Sequence, residues 1–161
     1  MDDIKYLLNY PFTTMRQRMA RHLFIFSFCA MGMNLTDIYR LNKREVKWKG
    51  DTVEIKYIRA KTHKEIVVLI NSCATSVRDL ISPYCSSSRD NVWHTHIDSN
   101  KYFGLDFNYL TYKTFSGNFQ KIIREIRTIM GYDDEFSFYT ARDSWASIMS
   151  SEYQLGQEYV D

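Results

Sequence analysis

The chain has 161 residues, 45% of them apolar and 25% charged, with only six glycines and two prolines; this describes one compact globular domain, residues 1–161, and excludes a disordered tail or a collagen-like repeat. Three widely spaced cysteines (Cys29, Cys73, Cys85) with no CxxC pair and no signal peptide ahead of them argue against a disulfide framework and for a reducing cytoplasm, and the longest apolar run, residues 23–33, falls short of the about 20 residues needed to cross a bilayer. The net charge of +2 hides an asymmetry: residues 1–80 carry 14 Lys and Arg against 8 Asp and Glu, residues 81–161 carry 7 against 11.

Thr14 follows Pro11, and from there Met15, Met19, Leu23, Phe26 and Ala30 recur at spacings of three and four, the pattern of a helix with one wide buried face. Between Leu23 and Met33 the sequence is apolar nearly all round, so this helix is expected at the centre of the fold, with Met31 and Met33 filling core beside Phe24, Phe26 and Phe28. Gly32 stops it, and Asn34 caps a short second helix from Leu35 to Leu41. Strands follow at residues 45–48, 52–59 and 65–70, each in alternating or continuous apolar pattern, with Lys49-Gly50-Asp51 as the first turn and the cationic Ala60-Lys61-Thr62-His63-Lys64 as the second. The result is a three-stranded antiparallel sheet in an otherwise helical chain, an α+β fold.

A helix is expected through Val77 to Ile81, then a polar loop over residues 85–104. The stripe Phe115, Phe119, Ile122, Ile123, Ile126, Ile129, Met130 marks a long helix ended by Gly131. After the acidic turn Asp133-Asp134-Glu135, Ser137 or Thr140 caps a helix whose inward stripe is Ala141, Trp145, Ile148 and Met149, and residues 154–161 open one more. No repeat or linker divides the chain.

Little of the usual site chemistry is present. His94 and His96 share one face of any strand they occupy, but no third ligand has metal-site spacing, and the sequence holds neither a GxGxxG nor a Walker A segment. No metal, nucleotide or other small-molecule cofactor is therefore expected. What remains is cationic. Between Arg40 and Lys64 stand nine Lys and Arg, among them Lys47, Lys49, Lys56, Arg59, Lys61 and Lys64, against three acids, a patch suited to a polyanion whose neutralised phosphates release counterions. Arg142, one turn into its helix, has the fork that grips a phosphate through two oxygens. Lys61 at a hairpin tip can reach a phosphate or give a proton to a leaving group.

The order of these pieces, with Gly-Met-Asn-Leu-Thr-Asp-Ile-Tyr-Arg-Leu after the central helix, Arg59-Ala60-Lys61-Thr62 at the second turn, and Tyr-Thr-Ala-Arg-Asp-Ser-Trp-Ala-Ser-Ile near the end, resembles the catalytic domain of tyrosine recombinases, the phage-integrase family, and in particular integrases of Bacteroides-type mobile elements. The resemblance runs from Thr14 to the end of the chain. It implies double-stranded DNA as partner, self-assembly on that DNA, and strand exchange through a 3′-phosphotyrosine. Lys61 matches the hairpin lysine that acts as general acid toward the 5′-oxygen, and Arg142 the second arginine on the scissile phosphate. Tyr139 stands where most members have a histidine, and Asp37 where an acid supports the first arginine.

The sequence departs from that pattern at the first arginine, replaced by Met31, with Arg21 or Arg40 as substitute cations. The family's later histidine turn and nucleophilic tyrosine have no match: Leu155-Gly156-Gln157, Tyr153 and Tyr159 come too soon after Arg142. The expectation is a truncated catalytic domain, inactive alone, whose complete protein carries the nucleophile beyond Asp161. The alternatives are a catalytically degenerate DNA-binding or assembly module of the same descent, and an α+β protein-interaction domain.

Overall fold

The structure, a computed structural model, describes residues 2–71, 79, 109–133 and 135–153. Apart from Asp79, the helix expected through Val77 to Ile81 lies outside the described residues, as do the polar stretch 85–104 with His94 and His96, the cysteines Cys73 and Cys85, and residues 154–161. In chain order the elements are α1 (Asp2–Asn9), α2 (Met15–Cys29), α3 (Leu35–Arg40), a 3-10 turn (Lys43–Glu45), β1 (Val46–Lys49), β2 (Thr52–Ile58), β3 (Glu65–Ile70), α4 (Tyr109–Met130) and α5 (Thr140–Tyr153). This is the expected α+β architecture, mostly helical with one three-stranded antiparallel sheet. The chain divides into two compact units, Met1–Met33 with Phe119–Asp161, and Asn34–Asn118.

The first unit is built around α2. Thr14 occupies its N-cap with extended backbone, and its hydroxyl accepts the backbone N–H of Gln17 at 3.2 Å, satisfying one of the orphan donors of the first turn. Five consecutive residues, Leu23 to Ser27, are buried, which only a helix covered on all sides allows. The buried Ser27 hydroxyl donates to the Met33 carbonyl at 2.8 Å, so its polar group is not stranded in the core. Helix α1 is not anticipated by the sequence reading: it is eight residues long, too short to persist alone. Arginines of α2 hold its end. The Arg21 guanidinium donates to the carbonyls of Leu8 and Tyr10 at 3.1 and 2.9 Å, and Arg18 donates to those of Phe12 and Thr13 at 3.2 and 2.9 Å. The Leu8 carbonyl lies in the last turn of α1, and the Tyr10 carbonyl also accepts the Phe12 N–H at 2.9 Å.

Helix α4 brings Phe119, Ile122, Ile123 and Ile126 into this core. It ends as expected at Gly131, in left-handed conformation (φ 69°), with the Tyr132 N–H on the Arg127 carbonyl at 3.0 Å. Ile129, expected inward, is 44% exposed: after Ile126 the stripe rotates toward Met130, and the last turn leaves the core. Aromatic rings join the helices, with Phe24 stacked on Phe136 (5.3 Å) and Phe138 edge-on to both Phe24 (6.3 Å) and Phe119 (5.4 Å).

The start of α5 differs from the expected cap. Neither Ser137 nor Thr140 caps it in the usual sense: Thr140 is already helical, and its hydroxyl accepts the Ser137 N–H at 2.9 Å, bracing the turn that leads in. Ala141 and Trp145 are buried as expected, while Ile148 and Met149 are only half-buried.

In the second unit β1, β2 and β3 pair in sequence order, Val46 opposite Ile55 and Ile55 opposite Val68. Val46, Val53, Ile55, Tyr57, Val68 and Ile70 share the buried face, as the period of two requires. The first hairpin turns on Gly50, whose positive φ of 60° fits a two-residue primed turn, so Lys49 extends β1 and Glu45 falls in the 3-10 turn. Ile38 and Tyr39 of α3 are buried, Tyr39 stacks on Phe115 of α4 at 5.0 Å, and the Thr36 and Tyr112 hydroxyls are 2.7 Å apart.

Candidate functional site

Arg142 belongs to the first unit. Its backbone N–H donates to the Tyr139 carbonyl at 2.9 Å, which starts α5, and the buried neighbours Phe138, Ala141 and Trp145 fix this turn on the core. The side chain is half-buried. Facing its stem is the turn that closes α2, where the Gly32 N–H bonds back to the Ser27 carbonyl at 2.8 Å. A Cβ added to Gly32 would stand 2.6 Å from Arg142 Cγ, 2.8 Å from Cβ and 2.9 Å from Cα. No side chain fits there. The arginine stem and the α2 turn are in direct contact because residue 32 is glycine.

Met31 precedes that glycine and is left-handed as well (φ 59°). Its position is the one after the helix cap where glycine is usual, as at Gly131 in α4. The expectation that Met31 and Met33 both fill core is half corrected: Met33 is 2% exposed, Met31 45%. A residue in left-handed conformation at the end of an apolar helix points away from the core its helix face covers.

Tyr139 lies one residue before α5 and is 64% exposed, so its phenol is available to a ligand while its carbonyl accepts the N–H groups of Arg142 and Asp143. Arg21, a candidate substitute for the missing arginine, is committed elsewhere. Besides Leu8 and Tyr10 it lies 3.3 Å from His22 Nε2, and its Cζ is 5.9 Å from the Phe12 ring centroid. His22 is pushed down to about 4, first by burial and then by the charges of Arg21 and Arg18.

The remaining sequence-predicted residues belong to the second unit. Asp37 is buried, and its carboxylate accepts the Ala60 N–H at 2.8 Å, tying α3 to the root of the hairpin that carries Lys61. Burial raises its pKa against the pull of that hydrogen bond, the charges of Arg59 and Arg40, and the Asn34 side chain. Asn34 thus holds the N-cap backbone position of α3 without a side-chain cap bond, its amide being turned to Asp37. The hairpin tip closes through Arg59 N–H to the Lys64 carbonyl and His63 N–H to the Arg59 carbonyl, both 2.9 Å, with His63 left-handed (φ 55°). Lys61, Thr62, His63 and Lys64 are all exposed there, and Arg59 is half-buried at the base.

Lys47, Lys49 and Lys56 project from the solvent face of the sheet. Two of them meet acids on the diagonal of the neighbouring strand: Lys49 Nζ lies 2.7 Å from Glu54 and Lys56 Nζ 2.9 Å from Glu65. Lys49 holds the Glu54 carboxyl below the ordinary carboxylate range. Sequence order alone did not expose this compensation, since it depends on register.

The first unit also contains a cavity of about 370 Å³ lined by Ile4, Leu7, Tyr132, Asp133, Glu135, Phe136, Thr140, Asp143 and Ser144. Its three carboxylates repel phosphate, so a polyanion has no place in it. Among the described residues no group of three His, Cys, Asp or Glu is placed to hold a metal ion, and no helix is long and apolar enough to cross a membrane.

No family model matches this sequence, and no curated protein matches it. Among solved structures the fold is similar to that of the XerH site-specific recombinase bound to its difH substrate in a pre-cleavage complex, with a TM-score of 0.68, 11% identity, and coverage of 98% of this chain and 42% of that one. The post-cleavage complex of XerH with palindromic difH gives a TM-score of 0.68, 12% identity, and coverage of 98% and 41%. The chain spans about two fifths of the length of these recombinases. At this identity the likeness defines the fold, which is tyrosine-recombinase-like.

Proposed function

We propose that this chain is the DNA-binding catalytic-domain portion of a site-specific tyrosine recombinase, an integrase of the mobile-element type, acting on double-stranded DNA and assembling with further copies on it. The observation that carries the reading is the fold: 98% of the chain follows recombinases whose structures were determined on their DNA substrate. Arg142 then binds two non-bridging oxygens of the scissile phosphate and stabilises the charge that builds up as phosphorus becomes five-coordinate. Lys61, exposed at the hairpin tip, gives a proton to the leaving 5′-oxygen. Tyr139 donates a hydrogen bond to a phosphate oxygen. Lys47, Lys49, Lys56, Arg59 and Lys64 neutralise flanking phosphates. Asp37 supports the hairpin from behind. The attacking group is a tyrosine, which forms the 3′-phosphotyrosine; a partner strand's 5′-hydroxyl displaces it with no metal or nucleotide consumed.

A second reading is favoured by Met31. An exposed thioether stands where the recombinase pattern has its first arginine, and a thioether gives a phosphate oxygen neither charge nor donor. Loss of one such donor commonly costs about a hundredfold or more in rate. This reading is a module that binds and assembles on DNA without cleaving it.

Binding is tested with the purified chain and short labelled duplexes across a salt series, and cleavage with the complete protein that carries the attacking tyrosine, on nicked duplexes of randomised sequence resolved on a denaturing gel. Binding that weakens steeply with salt is expected, and Arg142→Ala and Lys61→Ala should each lower it about tenfold or less. A covalent protein–DNA band lost in either variant supports the enzyme; salt-sensitive binding without a band supports the binding module. Absence of salt-sensitive binding overturns both.

A further inference from the structure

Arg142 is useful to a phosphate only if its fork is held in one place, and α5 alone does not do that, because an arginine stem has four rotatable bonds. The α2 turn restricts it. Two consecutive left-handed residues, Met31 and Gly32, fold the chain back so that the Gly32 N–H reaches the Ser27 carbonyl at 2.8 Å, while the buried Ser27 hydroxyl holds the Met33 carbonyl at 2.8 Å on the far side of the same turn. Gly32 is thereby clamped from both sides, and it is buried. Its bare Cα face lies against Arg142 at Cα, Cβ and Cγ together. A methyl group at residue 32 would meet Cα and Cβ at 2.9 and 2.8 Å, and these atoms belong to the helix, so no rotamer change relieves the clash.

We infer that Gly32 is a positioning residue for Arg142: the bare glycine, locked by Ser27, lets the first turn of α5 seat against the end of α2 and confines the arginine stem to the direction in which its fork meets phosphate. The inference deepens the phosphate-binding role proposed for Arg142 and rests on that reading for its functional consequence, but the confinement itself is a property of the free protein.

The test is a double-mutant cycle on the 161-residue chain. Gly32→Ala, Arg142→Ala and the double variant are titrated with a short labelled duplex over a salt series. Gly32→Ala is expected to lose about tenfold in affinity, the scale of one charged hydrogen bond, and to lower the salt slope by about one, as Arg142→Ala does. In the Arg142→Ala background Gly32→Ala should cost almost nothing more. Backbone strain at φ 71° weakens both backgrounds alike, so equal losses in the two would overturn the inference. Should Gly32→Ala not fold, Ser27→Ala loosens the same turn and should show a smaller loss with the same dependence on Arg142.

A second readout needs no DNA. The Arg142 Nε–H resonance, assigned by its disappearance in Arg142→Ala, should shift or broaden in Gly32→Ala or Ser27→Ala; an unchanged resonance would refute the confinement. A protein that fails to bind duplex yet shows this change loses the DNA reading and keeps the positioning role.

Discussion

Met31 and His22 show how single residues carry information about this molecule. A non-glycine residue in left-handed conformation costs roughly 1–2 kcal/mol, part of which glycine would recover at the expense of its own unfolded-state entropy. Met31→Gly is therefore expected to stabilise the chain by about 0.5–1 kcal/mol, measured by urea unfolding; destabilisation would mean that the thioether packs in a way its exposure does not suggest. Strain of this kind persists where a site needs a side chain in an unfavoured place, and here it is the residue before the glycine that cradles Arg142. His22 is held down to about 4 by burial and by the neighbouring arginines, so the fold prefers it neutral. A depressed folded value means its contribution is complete above about 6.5 and is lost as pH falls toward 4. Wild type should thus lose on the order of 1–2 kcal/mol more than His22→Gln between pH 7.5 and 4.5. Asp37, raised by burial, acts in the opposite direction over the same acid range, but equally in both proteins, and cancels from the comparison. Equal losses in the two proteins would show that His22 titrates normally.

At the scale of elements, the β-sheet sets how much of the basic sequence is available. Alternation puts Lys47, Lys49 and Lys56 on the solvent face, and register places Glu54 and Glu65 beside two of them. Exposed pairs of this kind add little to stability but hold a lysine back from other anions. Replacing Glu54 and Glu65 by Gln should leave the melting temperature nearly unchanged while tightening duplex binding and steepening its salt dependence; reversing Lys47, Lys49 and Lys56 to Glu should remove most of that binding. Unaltered affinity in both variants would turn this face of the sheet away from DNA. The hairpin tip needs no such release, since Lys61 and Lys64 are exposed and its root is fixed by Asp37.

For the whole molecule, periodicity and turn chemistry in the sequence were enough to determine most of the described elements. The 3.6-residue stripes of α2 and α4, the period of two in β1 to β3, the Thr14 cap and the Gly50 and Gly131 turns are all local signals, because they depend on φ, ψ and neighbours a few residues away. The basic run around Lys61 and the place of Arg142 in the first turn of its helix were legible as well. Helix α1 was not, since what holds it is distant in sequence: Arg21, 13 residues from the Leu8 carbonyl it binds, and the core that buries Leu7. Nor could the sequence show that Met31 leaves the core while Met33 enters it, that Glu54 and Glu65 answer two of the lysines, or that Gly32 is empty because Arg142 fills its space. Those facts depend on which distant atoms meet. Composition and period fix what a segment prefers to be; only the packed chain decides what stands against it.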